Sequence, residues 1–235
     1  MNLIIDHLLK NQPHYRFERK YCIPNPSLDG LEWQLETHAM GFREVHPKRC
    51  VNNIYLDTPG LRFYHDNLDG SEWKIKFRIR WYGRLWGEAE SPYLEIKIKK
   101  SIACYKLRFP LQSFTFDDRF ALRQLRAVFR QSDIPDFVVM LLNDLDMTLI
   151  NRYARKYYLS MDKQFRATLD ERLEFYPAMA TAHRSLYRAM VWEDTILEIK
   201  YAHDRDDQGR KVITFPYRFS RHSKYVRGIE LVNFL

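Results

Sequence analysis

The constraint that dominates this chain is an alternation of cationic and apolar side chains over Trp73–Trp81. Lys74, Lys76, Arg78 and Arg80 fall on one parity, and Ile75, Phe77, Ile79 and Trp81 on the other. Successive side chains of a β-strand point to opposite faces, so a period of two predicts a strand with one apolar and one basic face. Four like charges along one face repel one another, and an anion would relieve them. Similar faces recur on Arg16–Lys20, Tyr93–Lys99 and Ile196–Tyr201. Solvated faces of ordinary strands also carry charge, but they mix in Ser, Thr and Gln, whereas these are crowded with Lys and Arg.

Around that strand the spacing predicts Tyr15–Ile23 as a strand, then a helix opened by Asn25 and Pro26, with Leu28, Leu31 and Leu35 as its buried stripe and Gly41 at its end. Val51–Asp57 reads as a strand closed by the turn Thr58-Pro59-Gly60, and Pro92–Lys100 as the antiparallel partner of Trp73–Trp81. Helices are expected over Asp117–Phe129 and from about Ile134 to Leu145. Strands follow at Leu149–Ser160, Gln164–Glu171, Glu193–Tyr201 and Val212–Tyr217. A charged turn at Asp204–Gly209 and a helical tail from Ser223 complete the reading. The class is α+β. If the basic faces turn inward, the strands form a closed antiparallel eight-stranded barrel, a tunnel with a polar, basic lumen and the helices packed outside. With no low-complexity linker or internal repeat, residues 1–235 are expected to form one domain.

The net charge of +8 suggests an anionic partner. Three dispersed cysteines, Cys22, Cys50 and Cys104, argue for reduced thiols and a cytoplasmic protein. The longest apolar run, Phe137–Leu142, is too short to span a bilayer, and Met1–Lys10 does not read as a signal peptide. No phosphate-binding GxxxxGK[ST] loop, GxGxxG, HExxH or GxSxG is present, and the histidines show no ligand spacing. Tyr153, Tyr157 and Tyr158, at strand spacing, fit core positions better than base-stacking ones.

Arg offers planar, forked donors to phosphate oxygens and Lys a mobile point charge, so converging basic faces suit a run of phosphates. Glu18 and Glu198 each sit two residues from a Lys on such a face. They are candidate ligands for Mg²⁺ or Mn²⁺, which bind through one or two carboxylates plus phosphate oxygens and water. The alternative is that they hold Lys or Arg side chains upright as ion-pair partners.

A family resemblance rests on these motifs in order: Arg16-Phe-Glu-Arg-Lys20-Tyr, Asn53-Ile-Tyr-Leu-Asp57, Arg78-Ile-Arg80-Trp-Tyr-Gly83, Leu94-Glu-Ile-Lys97, Asn151-Arg152, Arg166-Ala-Thr-Leu-Asp170, Leu197-Glu-Ile-Lys200 and Ser223-Lys-Tyr-Val-Arg-Gly228. The set resembles the VTC-type polyphosphate polymerase domain of the triphosphate tunnel metalloenzymes, from about Tyr15 to Glu230. The resemblance implies a tunnel that binds a nucleoside triphosphate or polyphosphate with a divalent cation. It places Lys20, Arg78, Arg80, Lys97, Arg152 and Lys224 on the phosphates as catalytic residues, and Glu198 on the metal. Lys76, Lys99, Arg166, Lys200 and Arg16 join them as expected substrate contacts, and Glu18 as a second metal ligand. The wider superfamily often carries Glu-x-Glu-x-Lys on the first strand. Here Arg16 replaces the first Glu, which leans away from the triphosphatase and cyclase branches. The expected activity is transfer of a phosphoryl group from a nucleoside triphosphate, ATP above all, to build polyphosphate. A tripolyphosphatase or nucleoside triphosphatase and a non-catalytic polyphosphate-binding module are the alternatives. Nucleic acid is not the expected partner, because the charges phase inward. The resemblance also implies a separate membrane protein as a partner.

Overall fold

The computed structural model describes residues 16–100, 103–178 and 189–233. Tyr15, the first residue of the expected first strand, and the segment Met1–Lys10 lie outside them. The core is a nine-stranded antiparallel sheet in the order β1-β11-β9-β8-β2-β3-β5-β6, with β10 pairing β9 off that path. Its strands are β1 (Arg16–Ile23), β2 (Arg43–Asp57), β3 (Trp73–Tyr82), β5 (Tyr93–Lys100), β6 (Ala103–Pro110), β8 (Asp146–Leu159), β9 (Arg166–Pro177), β10 (Met190–Trp192) and β11 (Thr195–Ala202). A separate two-stranded sheet pairs β4 (Gly87–Ala89) with β7 (Phe114–Phe116).

This corrects the expected closed eight-stranded barrel. Among the described residues the edge strands β1 and β6 share no backbone pairing. The sheet nevertheless curls: Lys97 on β5 donates to Glu18 on β1 at 2.7 Å, although six steps of the strand order separate them. The strand β6 extends the sheet beyond β5, so β5 has no free edge to offer β1, and side chains bridge the seam.

The two faces are covered differently. On the outer face Ile75, Phe77, Ile79, Trp81, Leu94 and Ile96 pack under α3 (Leu122–Gln131) and α4 (Asp136–Asn143) through Leu125, Phe129, Val138 and Leu142. The outer side of β1, β9 and β11 packs under α1 (Leu28–Thr37) through Leu31 and Leu35. Burying such side chains stabilises by about 1.5–3 kcal/mol each. The expectation that all helices lie outside fails for the C-terminal one. The helix α6 (Lys224–Asn233) sets Tyr225, Ile229 and Val232 against Val51, Tyr55, Leu149, Phe175 and Ile196. Tyr55 is in register with Arg78, so this is the basic face. Gly228 allows the approach, since a Cβ there would lie 2.6 Å from Phe175 Cδ1. Buried Asp57 ties α6 to α2 (Arg62–Leu68): it accepts from the amides of Phe63 and Tyr64, both at 2.9 Å, and from the Tyr225 hydroxyl at 2.5 Å.

Other local outcomes have simple causes. Ser27, not Asn25, caps α1, its hydroxyl accepting from the Gly30 amide at 3.2 Å, while Asn25 adopts a left-handed φ of 39°. Asp117 turns the chain by accepting from the Arg119 amide, so α3 begins only at Leu122. The expected charged turn and strand near Asp204–Tyr217 give a short 3₁₀ turn and α5 (Asp206–Val212) instead. Cys22, Cys50 and Cys104 are free thiols. No helix of the described residues is long and apolar enough to cross a membrane.

Candidate functional site

Register decides which side chains share the curled inner face, because residues directly opposite in an antiparallel pair point the same way. Lys76 faces Lys97, which faces Lys106; Arg78 faces Glu95, which faces Arg108. Lys20 faces Glu198, which faces Thr168, while Glu18 faces Lys200, which faces Arg166. Arg155 faces Asp170. Strands from both halves of the chain therefore supply one face, and α6 adds Lys224.

The acidic groups organise the cations into clusters. Glu18 accepts from Lys97 at 2.7 and 2.9 Å and lies 3.7 Å from Lys20. Burial pushes its carboxyl up, but Lys97, aided by Lys200 and Lys20, outweighs burial and nearby Glu198 and holds it at about 2. Glu198 is 3.2 Å from Lys200, 3.5 Å from Lys20 and 3.9 Å from Arg155. Burial opposes its ionisation, yet Lys200, Lys20 and Arg155 keep it well below the carboxylate range. Asp170, fully buried, accepts from Arg155 at 2.5 and 2.7 Å and from Lys224 at 2.6 Å. Glu95 receives Arg78 at 2.5 and 2.6 Å, lies 3.7 Å from Arg80 and pairs with Lys106. Arg80 is locked further by Asn53 at 2.8 Å and the Tyr153 hydroxyl at 3.0 Å.

Lys76 differs from all of these. Its Nζ donates to Ser223 Oγ at 2.9 Å, and no carboxylate among the described residues lies within ion-pair distance. Burial, and then the charges of Lys20, Lys97 and Arg78, push its pKa well below the usual lysine value. Beside it, His222 is pushed down to about 3 by burial and by Lys224 and Lys20, and its Nε2 is buried without a hydrogen-bond partner. Charge at this point is uncompensated, and a bound anion would supply what the chain does not.

The structure gathers Lys20, Lys76, Arg78, Arg80, Lys97, Lys200 and Lys224, with Glu18 and Glu198, on the inner face. Arg166 and Lys99 share that face but are exposed at its rim. Arg16 opens β1, with its backbone opposite Ala202. Arg152 is placed elsewhere. It stands on the outer face with Lys156, which donates to Glu32 of α1 at 2.6 Å, and Arg152 itself is in register with Glu174. Its neighbour Arg155 holds the inner position. Arg155, Lys106 and Arg108 are the cations that sequence reasoning missed. The signal for the last two was present, since Tyr105, Leu107 and Phe109 alternate with them.

For a divalent cation, the described residues contain no group of three or more His, Cys, Asp or Glu able to hold one. The donor set instead offers two neighbouring carboxylates, Glu18 and Glu198, on a cation-rich face. That set fits a cation that completes its shell with phosphate oxygens and water.

The model of the VTC domain family matches residues 15–233. No curated protein matches the chain. Similar solved structures include the PH1819 protein of Pyrococcus horikoshii OT3, at 16% identity and TM-score 0.49, with 92% of this chain and 99% of that chain covered. A candidate adenylyl cyclase of Hippeastrum, HpAC1, described as having a dominant triphosphatase activity, shows 14% identity and TM-score 0.49 over 90% of this chain and 95% of that one. A candidate adenylate cyclase of Vibrio parahaemolyticus shows 10% identity and TM-score 0.46 over 95% and 92%. The family assignment rests on the domain match, which spans nearly the whole sequence and every strand of the inner face: the chain belongs to the VTC domain family.

Proposed function

We propose that this chain, acting as one domain, transfers phosphoryl groups from a nucleoside triphosphate, ATP above all, to phosphate or to the end of a growing polyphosphate, with a divalent cation. The observation that carries the reading is Lys76, a cation set among Lys20, Lys97 and Arg78 without a carboxylate of its own. A phosphate run supplies the missing negative charge at that point. Membership of the VTC domain family supports the same ligand class.

Phosphoryl transfer needs positioning and charge neutralisation more than covalent help from the protein. Lys76, Lys20 and Lys97 would bear on the phosphate run as point charges, and Arg78 as a forked donor. Arg80, fixed by Asn53 and Tyr153, holds the Glu95 cluster in place. Glu198 and Glu18 are the residues that would hold Mn²⁺ or Mg²⁺, which when bound would offset charge on the phosphate oxygens. Lysines neutralise both carboxylates, so neither cancels the charge of Lys76.

The test is incubation of the full chain with ATP and Mn²⁺, with products resolved by gel and by free-phosphate assay. Polymer formation that falls in Lys97→Ala and Glu198→Ala is the expected result. Full activity in both variants overturns the site. Phosphate release without polymer makes water the acceptor, and salt-sensitive polyphosphate binding without turnover makes the chain a binding module. Either of these outcomes overturns the polymerase reading.

A further inference from the structure

Beyond the phosphate cations, the inner face ends in aromatic rings that the phosphate chemistry does not use. Tyr82 follows Arg80 on β3, and Tyr157 follows Arg155 on β8. Arg49 of β2 is in register with Arg155, and its guanidinium lies 5.8 Å from the ring centroids of both Tyr82 and Tyr157. The Tyr82 hydroxyl meets that of Tyr93 at 2.8 Å, and Arg108 lies 3.4 Å from the Tyr93 centroid.

We propose that Tyr82 and Tyr157 form a stacking platform for the nucleobase of the nucleoside triphosphate, an inference that rests on the phosphate-binding reading of the same face. Three observations converge on it. The first is direction. The helix α6 packs on the face at Leu149, Tyr55 and Val51, and Tyr82, in register with Val51, stands at the limit of that contact, so a nucleotide with its phosphates at Arg78 that extends away from Leu149 brings its base to the rings. The second is reach. At about 3.3 Å per residue, Tyr82 lies about 13 Å along β3 from Arg78, and Tyr157 about 7 Å along β8 from Arg155. A ribose with its α-phosphate bridges a gap of that order. The third is the state of the rings. Arg108 lies close over Tyr93, whereas Arg49 is shared between the other two rings at the outer limit of a cation–π contact, and Tyr82 is 37% exposed. His46 meets Tyr157 edge-on, at an interplanar angle of 82°. One arginine covers at most one face of each ring, and an aromatic base stacks upon the other.

The experiment is an equilibrium titration of the full chain, without divalent cation so that nothing turns over, using a hydrolysis-resistant ATP analogue and tripolyphosphate. The double variant Tyr82→Ala/Tyr157→Ala is expected to bind the analogue about 10-fold or more weakly while changing less than twofold toward tripolyphosphate. Tyr82→Phe/Tyr157→Phe, which keeps both rings, is expected to retain the analogue. Retained tripolyphosphate binding shows that the variant folds. Parallel loss of both ligands, or no loss of the analogue, overturns the platform. A wild-type chain that binds neither ligand overturns the phosphate reading and the platform together. One that binds both but makes no polymer from ATP overturns the polymerase alone, and the platform then stands on the titration.

Discussion

Two regions of the inner face carry similar charges in opposite states. Around Asp170, two cations close on one fully buried carboxylate, Arg155 with two hydrogen bonds and Lys224 with one. Around Lys76, three further cations crowd a lysine whose one hydrogen-bond partner is a serine hydroxyl. The first region is finished by folding; the second is left for something else to finish. The difference teaches that basicity alone is a poor guide to binding. Buried ion pairs often do little more than offset their own desolvation, so the informative cation is the one the chain declines to pair.

The largest expected effect breaks the first region. Asp170→Asn takes from buried Lys224 the carboxylate it pairs with and leaves Arg155 to Glu198 at 3.9 Å, and loss of about 3–5 kcal/mol of unfolding free energy is expected by urea denaturation. The sign of its pH dependence follows from the same pairing. Burial raises the Asp170 carboxyl, but Arg155 and Lys224 hold it far below the ordinary value. Its contribution is therefore full above the unfolded carboxylate range and is lost only as pH falls well below it. An Asp170→Asn chain as stable as wild type would erase the contrast between the regions. The second region is expected to respond in the opposite sense. Lys76→Met removes a repelled cation, so stability should hold or rise, while the rate of polymer formation falls by about 100-fold, in line with loss of one preorganised charge stabiliser. A variant that loses stability and keeps its rate would show that Lys76 is structural.

Most of the inner face was legible because strand alternation is a local property. The parity of Lys76, Arg78, Lys97, Glu198 and Lys20 follows from neighbours two residues away. What failed depends on distant parts of the chain. Asn151–Lys156 carries a cation on both parities, and packing of Lys156 against Glu32 of α1 turns Arg152 outward and Arg155 inward. The stripe Tyr225, Ile229, Val232 shows that α6 packs, but not that it packs inside the curl, which needs Gly228 to sit on Phe175. Sheet closure was unreadable for the same reason. Whether β1 finds a free edge depends on β6, which occupies the edge of β5.

The smallest expected effect sharpens the comparison through protons. In the Glu95 cluster, burial first, and then Arg78 and Arg80 against the pull of Glu95, push Lys106 down to about 8. Burial, and then Lys20, Lys97 and Arg78 against the weaker pull of Glu18, push Lys76 well below the usual lysine value. A lysine whose folded pKa lies below its unfolded value of about 10.4 destabilises the fold while protonated. That cost is complete below the folded value and fades as pH rises from there toward the unfolded one. The ligand-free chain should therefore gain stability between about pH 8 and 10. A bound polyanion reverses the push and favours the charged lysines, so at pH 8.5 tripolyphosphate should draw protons from solution. Calorimetric heats in two buffers of different ionisation enthalpy measure that uptake. It should come to no more than about one proton per ligand for each lysine that titrates, and Lys106→Met should diminish it without abolishing it. The Asp170 cluster should take no part, because its carboxylate stays ionised throughout this range. Proton release instead of uptake would mean that the anion does not sit among the lysines whose pKa folding pushes down.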